Sequence, residues 1–179
     1  MKRIVLLLSL CLVFVAIGPS TTAPRPEIVA GFSPGGAESL VLDTIAEAKE
    51  HIFLSAYHLT SGSVAHALVE AQARGVDVQI VADAGAARSR HSRLADLAEK
   101  GVLVKLNGNH AILHHKFMVI DGMHVQTGSF NYTDAAAGRN AENVLVLRFN
   151  PKLAASYYQE WKRLWDSAEW LPRSGNIKE

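Results

Sequence analysis

The chain has 179 residues, 49% of them apolar, which supplies one sizeable core and excludes a disordered or low-complexity protein. Its 18 Lys and Arg against 17 Asp and Glu give a net charge of +1, which excludes a polyanion-binding field spread over the whole molecule. A single cysteine excludes an internal disulfide framework.

The amino terminus reads as a targeting segment. Lys2 and Arg3 precede an apolar run over residues 4–17, and Gly18, Pro19 and Ser20 follow. A basic start, an apolar run too short to span a bilayer easily and a small-residue exit form the pattern of a secretory signal peptide. An uncleaved anchor is the alternative. Thr21 and Ala23 satisfy the small-x-small rule, so residues 1–23 are expected to be removed, although Pro24 is an unfavourable residue after a cut. The remaining domain, residues 24–179, is expected in the periplasm or secreted, without stable membrane association. Removal takes Cys11 away, and with it any thiolate chemistry. It also takes Lys2 and Arg3, leaving 16 basic against 17 acidic side chains. Any grip on nucleic acid must then come from a local patch.

From residue 24 onward, strands and helices alternate. Residues 27–32 form an apolar run closed by Ser33-Pro34-Gly35-Gly36, a strand and a turn. Residues 37–50 carry Leu40, Val41, Thr44, Ile45 and Ala48 at helical spacing. Residues 52–57 are a buried strand. Thr60, Ser61 and Ser63 offer N-caps for a helix that Gly75 stops. Residues 76–81 are a third strand, ending in Ala82-Asp83-Ala84-Gly85. A helix over 89–100, stopped by Gly101, leads to a fourth strand at 102–106. Strands separated by helices of this length predict parallel βαβ units. The rhythm then changes to a hairpin, 116–120 and 123–127, around an Asp121-Gly122 turn. A strand at 144–149 and a helix capped by Asn150, with Pro151 at its first position, complete the domain. Leu153, Tyr157, Trp161 and Trp165 recur along that helix at steps of four and predict core or dimer packing rather than a cofactor box. Residues 173–179 read as a frayed tail. The fold class is α/β, a mixed and largely parallel central sheet flanked by helices.

The chemistry concentrates between His114 and Asn131, in the spacing H-x-K-x4-D-x6-G-S-x-N: His114, Lys116, Asp121, Gly128, Ser129 and Asn131. His114 and Lys116 are two apart at a strand start, so they point to one face and His115 to the other. The hairpin brings Gly128 and Ser129 back towards His114. A phosphodiester repels nucleophiles through its anionic oxygens, so a site must neutralise that charge and align the reactants. Lys116 supplies a cation, and Ser129 and Asn131 supply neutral donors for the phosphate. The imidazole of His114 can attack phosphorus and give a phosphohistidine. Its second nitrogen then needs an acceptor, for which Glu142 is the candidate.

These residues match the HKD motif of the phospholipase D superfamily. Gly31-Phe32-Ser33-Pro34, the Arg74–Val78 segment, the Thr127–Thr133 segment and Asn140-Ala141-Glu142-Asn143 further resemble the small exported bacterial endonucleases of that superfamily. Nearly all of residues 24–179 takes part in the resemblance. It implies a metal-independent hydrolase without cofactors, and one motif per chain implies a homodimer that completes one site from two chains. One His114 would be the nucleophile, and its symmetry mate the general acid. Asp121 belongs to the family motif, in a supporting role.

Rival readings use the same residues. His110, His114, His115 and His124 suggest zinc, but lack the spacing of an HExxH box. Lys116 and Asp121 could form a surface ion pair, and Asp121 could serve only its turn. Arg88, Arg90, His91 and Arg93 lie beside the loop after the third strand, where α/β sheets bind ligands. They read equally as phosphate contacts or as a solvated helix start. His58 and Arg139 are rim candidates for which solvation is favoured. Three functions follow: a nuclease cutting DNA or RNA without base preference, a hydrolase of a phospholipid such as cardiolipin, and a binding module with an inactive site. The resemblance, with no strong amphipathic membrane helix after residue 23, puts the nuclease first, and the intact motif puts the inactive module last.

Overall fold

The structure, a computed structural model, describes residues 24–172. The expected signal peptide and the tail at 173–179 lie outside the described residues. The chain begins with β1 (Glu27–Ser33), α1 (Gly36–Glu47), β2 (His51–Ala56), α2 (Gly62–Ala73) and β3 (Asp77–Asp83). It continues through α3 (Leu94–Glu99), β4 (Leu103–Asn107), β5 (Lys116–Ile120) and β6 (His124–Gly128). It ends with α4 (Asp134–Gly138), β7 (Glu142–Arg148), α5 (Pro151–Asp166) and β8 (Glu169–Trp170).

The strands make one sheet in the order β1-β7-β6-β5-β2-β3-β4-β8. The mixed sheet with flanking helices is present, but its balance differs from the largely parallel one expected. Only β2–β3 and β3–β4 run parallel. The other five pairings are antiparallel. The cause is where β5 enters. Residues 108–115 carry the chain from β4 back across to the free side of β2, and β5 pairs there antiparallel. The hairpin and β7 then extend that side without the helical crossovers that parallel pairs need.

Each face of the sheet buries its own apolar set. Val41, Ile45, Leu68 and Leu97 of α1, α2 and α3 pack with Ile52, Ile80, Met118 and Ile120. Trp161 and Leu164 of α5 pack on the opposite face with Val81, Phe117, Val119 and Val125. Strand β5 therefore alternates Phe117 and Val119 against Met118 and Ile120, and all five of its residues are buried. The aromatic stripe of α5 is core. Tyr157 meets Phe117 edge-on at 5.0 Å, and Trp161 lies 4.7 Å from Phe53. The Trp161 indole donates to the Leu54 carbonyl at 3.0 Å.

Helix α3 is shorter than the 89–100 expected. Ser89 and Ser92 turn their hydroxyls onto the backbone N–H groups of His91 and Leu94, which holds 89–93 as a loop. A 3-10 turn at Ala86–Arg88 precedes it. Helix α4 and strand β8 are too short to leave a periodic signal.

The β5–β6 turn places Asp121 and Gly122 at φ 51° and 63°, as an Asp-Gly hairpin turn requires. The Asp121 carboxylate accepts from the backbone N–H groups of Lys49, Glu50 and His51 at 3.0, 2.8 and 2.9 Å. It ties the hairpin to the loop between α1 and β2. Asp121→Ala strands three donors, one of them partly buried. We expect it to lower stability by about 2 kcal/mol, read as a lower urea midpoint at unchanged slope.

Candidate active site

Strand register gathers the candidate residues on one edge of the sheet. Lys116 stands opposite Ala56, Phe117 opposite Thr127, Gly128 opposite Val144 and Glu142 opposite Ser33. That edge thus holds the starts of β5 and β7 and the ends of β1, β2, β3 and β6. His114 leads into β5, Tyr57 and His58 follow β2, and Ser129 follows β6.

Lys116 is buried at 7% exposure, unusual for a lysine. Its ammonium donates to the His114 carbonyl at 2.8 Å and lies 5.4 Å from the centre of the Tyr57 ring. The same ring sits 4.7 Å from the His114 imidazole. His114 itself is exposed. His115 turns away, its Nε2 3.2 Å from a Glu160 oxygen on α5. Burial pushes the Lys116 ammonium below the ordinary lysine range, and the nearby Glu142 charge partly holds it up. His58 is half-buried in the same field. Burial lowers its pKa most, Asp83 opposes that, and Lys116 and His114 lower it further.

Glu142 takes a different partner from the one expected. Its carboxylate accepts from the Ser129 hydroxyl at 2.6 Å and from the Asn140 amide at 2.9 Å. No hydrogen bond joins Glu142 to His114 within the chain among the described residues. The Ser129 oxygen accepts in turn from the Asn143 N–H at 3.0 Å. Ser129 is thereby oriented, but its proton is committed to Glu142. Asn131 keeps a buried Oδ1 without a hydrogen-bond partner among the described residues. Gly128 permits the approach of β6 to β7. Its φ is 153°, and a Cβ there would lie 2.2 Å from the Asn143 carbonyl oxygen.

Asp121, which the motif groups with the candidate catalytic residues His114 and Lys116, does not join them in space, and the supporting role it has is structural. It stands five residues beyond Lys116 along an extended strand, about 17 Å away, and caps the opposite edge. The four histidines also separate. His110 contacts Asn107, His115 faces Glu160, and His124 packs against Phe149. Among the described residues, no three His, Cys, Asp or Glu side chains converge as metal ligands.

Three residues at this edge carry weight that the motif does not display. Tyr57 walls His114 and Lys116, and His58 extends that wall. Asp83, buried at the end of β3, accepts from the N–H of Leu113 at 2.8 Å and of Ala86 at 2.7 Å. It fixes the segment that delivers His114. The signal available for all three was position, at the carboxyl ends of parallel strands. Arg90, His91, Arg93, Arg139 and His58 line a cleft beside the site, whereas Arg88 lines a different groove with Trp170.

Two outcomes follow. Glu142→Gln removes the charge that supports the Lys116 ammonium, so the alkaline limb of kcat/KM for a diester substrate should move to lower pH. Gly128→Ala forces β6 off Asn143 and displaces Ser129. It should cut kcat by about a hundredfold or more with secondary structure retained by circular dichroism, since small misplacements cost about that much.

Comparison with known proteins identifies the family and the fold. The family described as cardiolipin synthase, PLD-like domain, matches residues 41–165. A phospholipase D of Rickettsia bellii is 40% identical over 128 residues, covering 72% of this chain and 63% of that protein. A mitochondrial cardiolipin hydrolase of Chlamydomonas reinhardtii is 34% identical over 128 residues, covering 72% and 57%. The match thus spans less than two thirds of the length of these relatives. The crystal structure of Nuc from Salmonella typhimurium, a phospholipase D family member, superposes with a TM-score of 0.82 at 38% identity, covering 84% of this chain and 100% of that one. NucT from Helicobacter pylori, at 21% identity and a TM-score of 0.76, shares the fold. The chain belongs to the phospholipase D superfamily, in its family of PLD-like domains.

Proposed function

We propose that this protein is a phosphodiester hydrolase that cuts nucleic acid, DNA and by the same chemistry RNA, through a phosphohistidine. The observation that carries the reaction is the pairing of an exposed His114 with a buried Lys116 on one aromatic wall. A ring nitrogen of His114 attacks phosphorus, a P–N bond forms, and the P–O bond to the leaving oxygen breaks. Lys116 offsets the phosphoryl charge, and Asn131 contributes a neutral donor. Ser129 positions Glu142 in this scheme as much as it contacts phosphate. Water then attacks phosphorus, the P–N bond breaks to release the imidazole, and water's proton passes to the group that protonated the leaving oxygen.

The leaving oxygen needs a proton, and His114 cannot be nucleophile and acid at once. His58 is close, but its burial disfavours the protonated form that a general acid must start from. We therefore assign that proton to His114 of a second copy, in a homodimer. The surface supports this reading. α1 covers one face of β1 and β7, while on the other face Ile28, Phe32 and Leu145 are 68%, 64% and 38% exposed. Glu142 would act on the imidazole through that assembly. The scheme uses no metal, and the amino-terminal sequence supports export to the periplasm or beyond.

The second reading is hydrolysis of a phospholipid. It is favoured by the names of the relatives, phospholipase D and mitochondrial cardiolipin hydrolase. No described helix is long and apolar enough to cross a membrane. The purified protein should nick supercoiled plasmid in excess EDTA, and His114→Ala should lose at least about a thousandfold of that rate. Cleavage that appears only when Mg²⁺ or Zn²⁺ is restored would overturn the metal-free mechanism. Failure on plasmid with turnover of cardiolipin vesicles would select the lipid reading.

A further inference from the structure

The cleft beside the catalytic edge has its own construction. It encloses about 540 Å³ between the loop 89–93 and the start of α4, with His58 at the end nearest the active site. Both walls are tied to the segment that follows β2. The Arg93 N–H donates to the Leu59 carbonyl at 3.0 Å, and the Tyr132 N–H to the His58 carbonyl at 3.2 Å. The N–H groups of Thr60 and Ser61 both reach the Tyr132 carbonyl at 2.9 Å. The cleft is therefore held in register with Tyr57, and through it with His114 and Lys116.

Its charges are unevenly satisfied. Arg93 is paired with Asp96 at 3.3 Å. Among the described residues, the Arg90 guanidinium reaches only the His91 ring, at 3.1 Å. Among the described residues, neither Arg90 nor Arg139 pairs with a carboxylate. They stand on opposite walls. Asp96, paired with Arg93, and Asp134 also line the cleft, so one carboxylate outside that pair faces two open guanidinium groups. The hydroxyls of Ser89 and Ser92 accept backbone N–H bonds, which leaves their own protons free to donate. Two fork-shaped cations, one of them flanked by neutral hydroxyl donors, match the anionic oxygens of a phosphodiester.

We infer that this cleft is a second phosphate subsite, in which Arg90 and Arg139 hold the phosphate flanking the scissile one on a polynucleotide strand. The inference rests on the nuclease reading and deepens it. It makes the substrate a polymer of phosphates, because a lone diester at His114 has nothing to place there. It assigns Arg90 and Arg139 to substrate positioning, not to bond cleavage.

The test compares two probes. One is a single-stranded oligonucleotide of about twenty residues. The other is bis(p-nitrophenyl) phosphate, which has one phosphate only. The Arg90→Ala/Arg139→Ala double variant should raise KM for the oligonucleotide about tenfold or more, with kcat within twofold. Its kcat/KM for the small diester should stay within twofold of the parent. The slope of log(1/KM) against log salt should fall by about 1.4 for the two lost contacts. Arg88→Ala, in the separate groove, should match the parent on both probes. Oligonucleotide kinetics and salt slope unchanged in the double variant would overturn the subsite and leave the nuclease reading intact. Turnover of the small diester with neither cleavage nor binding of the oligonucleotide by the parent would overturn both.

Discussion

The catalytic edge depends on the burial of one ammonium group. Lys116 sits at the head of a fully buried strand, where a lysine is rarely found. Removing its charge from water is costly unless polar partners replace the lost hydration. The His114 carbonyl, the face of Tyr57 and the charge of Glu142 are those partners. Each also fixes something that a phosphodiester site needs. The bond to the carbonyl holds the backbone of His114, the proposed nucleophile, and the aromatic face walls its ring. The carboxylate is oriented by Ser129, which Gly128 allows to approach β7. The solvation needs of the cation and the geometry of the site are met by the same contacts.

Much of this was legible in the sequence because it follows from spacing along one strand. Period-two alternation placed His114 and Lys116 together and sent His115 to α5. Pro151 and Asn150 marked the start of α5 correctly, since capping is local chemistry. What spacing did not reveal was register. Asp121 lies within the linear motif, yet a five-residue strand carries it to the opposite edge, where it caps three backbone groups. Glu142 was near enough to suggest a partner for His114, but the β6–β7 pairing gave it Ser129 instead. The contributions of Tyr57 and Asp83 depend on which strand neighbours which. The return of β5 to the free side of β2 decides that, and no local pattern encodes it.

The two faces of the sheet are unequally covered. Helices α1, α2 and α3 span one face, and α5 crosses only the middle of the other. Trp161 anchors that crossing through its bond to Leu54 and its packing on Phe53. Strands β1 and β7 thus keep one apolar face open beside the catalytic edge. A monomer would carry this exposure at a cost in solubility. The proposed dimer, in which one site would use the same histidine from two copies, would cover it.

The openness of His114 bears on the fate of the phosphoryl group. A covalent intermediate can be captured by any hydroxyl that reaches it, and competing acceptors partition it by concentration and access. In the single chain the imidazole is exposed to solvent, where water is in vast excess over any alcohol, and a second copy set against it would have to leave that access open. Its intermediate would therefore drain to the free acid, and transfer to a second alcohol would require an acceptor pocket that orders the competitor against bulk water. On this scaffold, how well the proposed nucleophile is roofed would decide between hydrolysis and transfer.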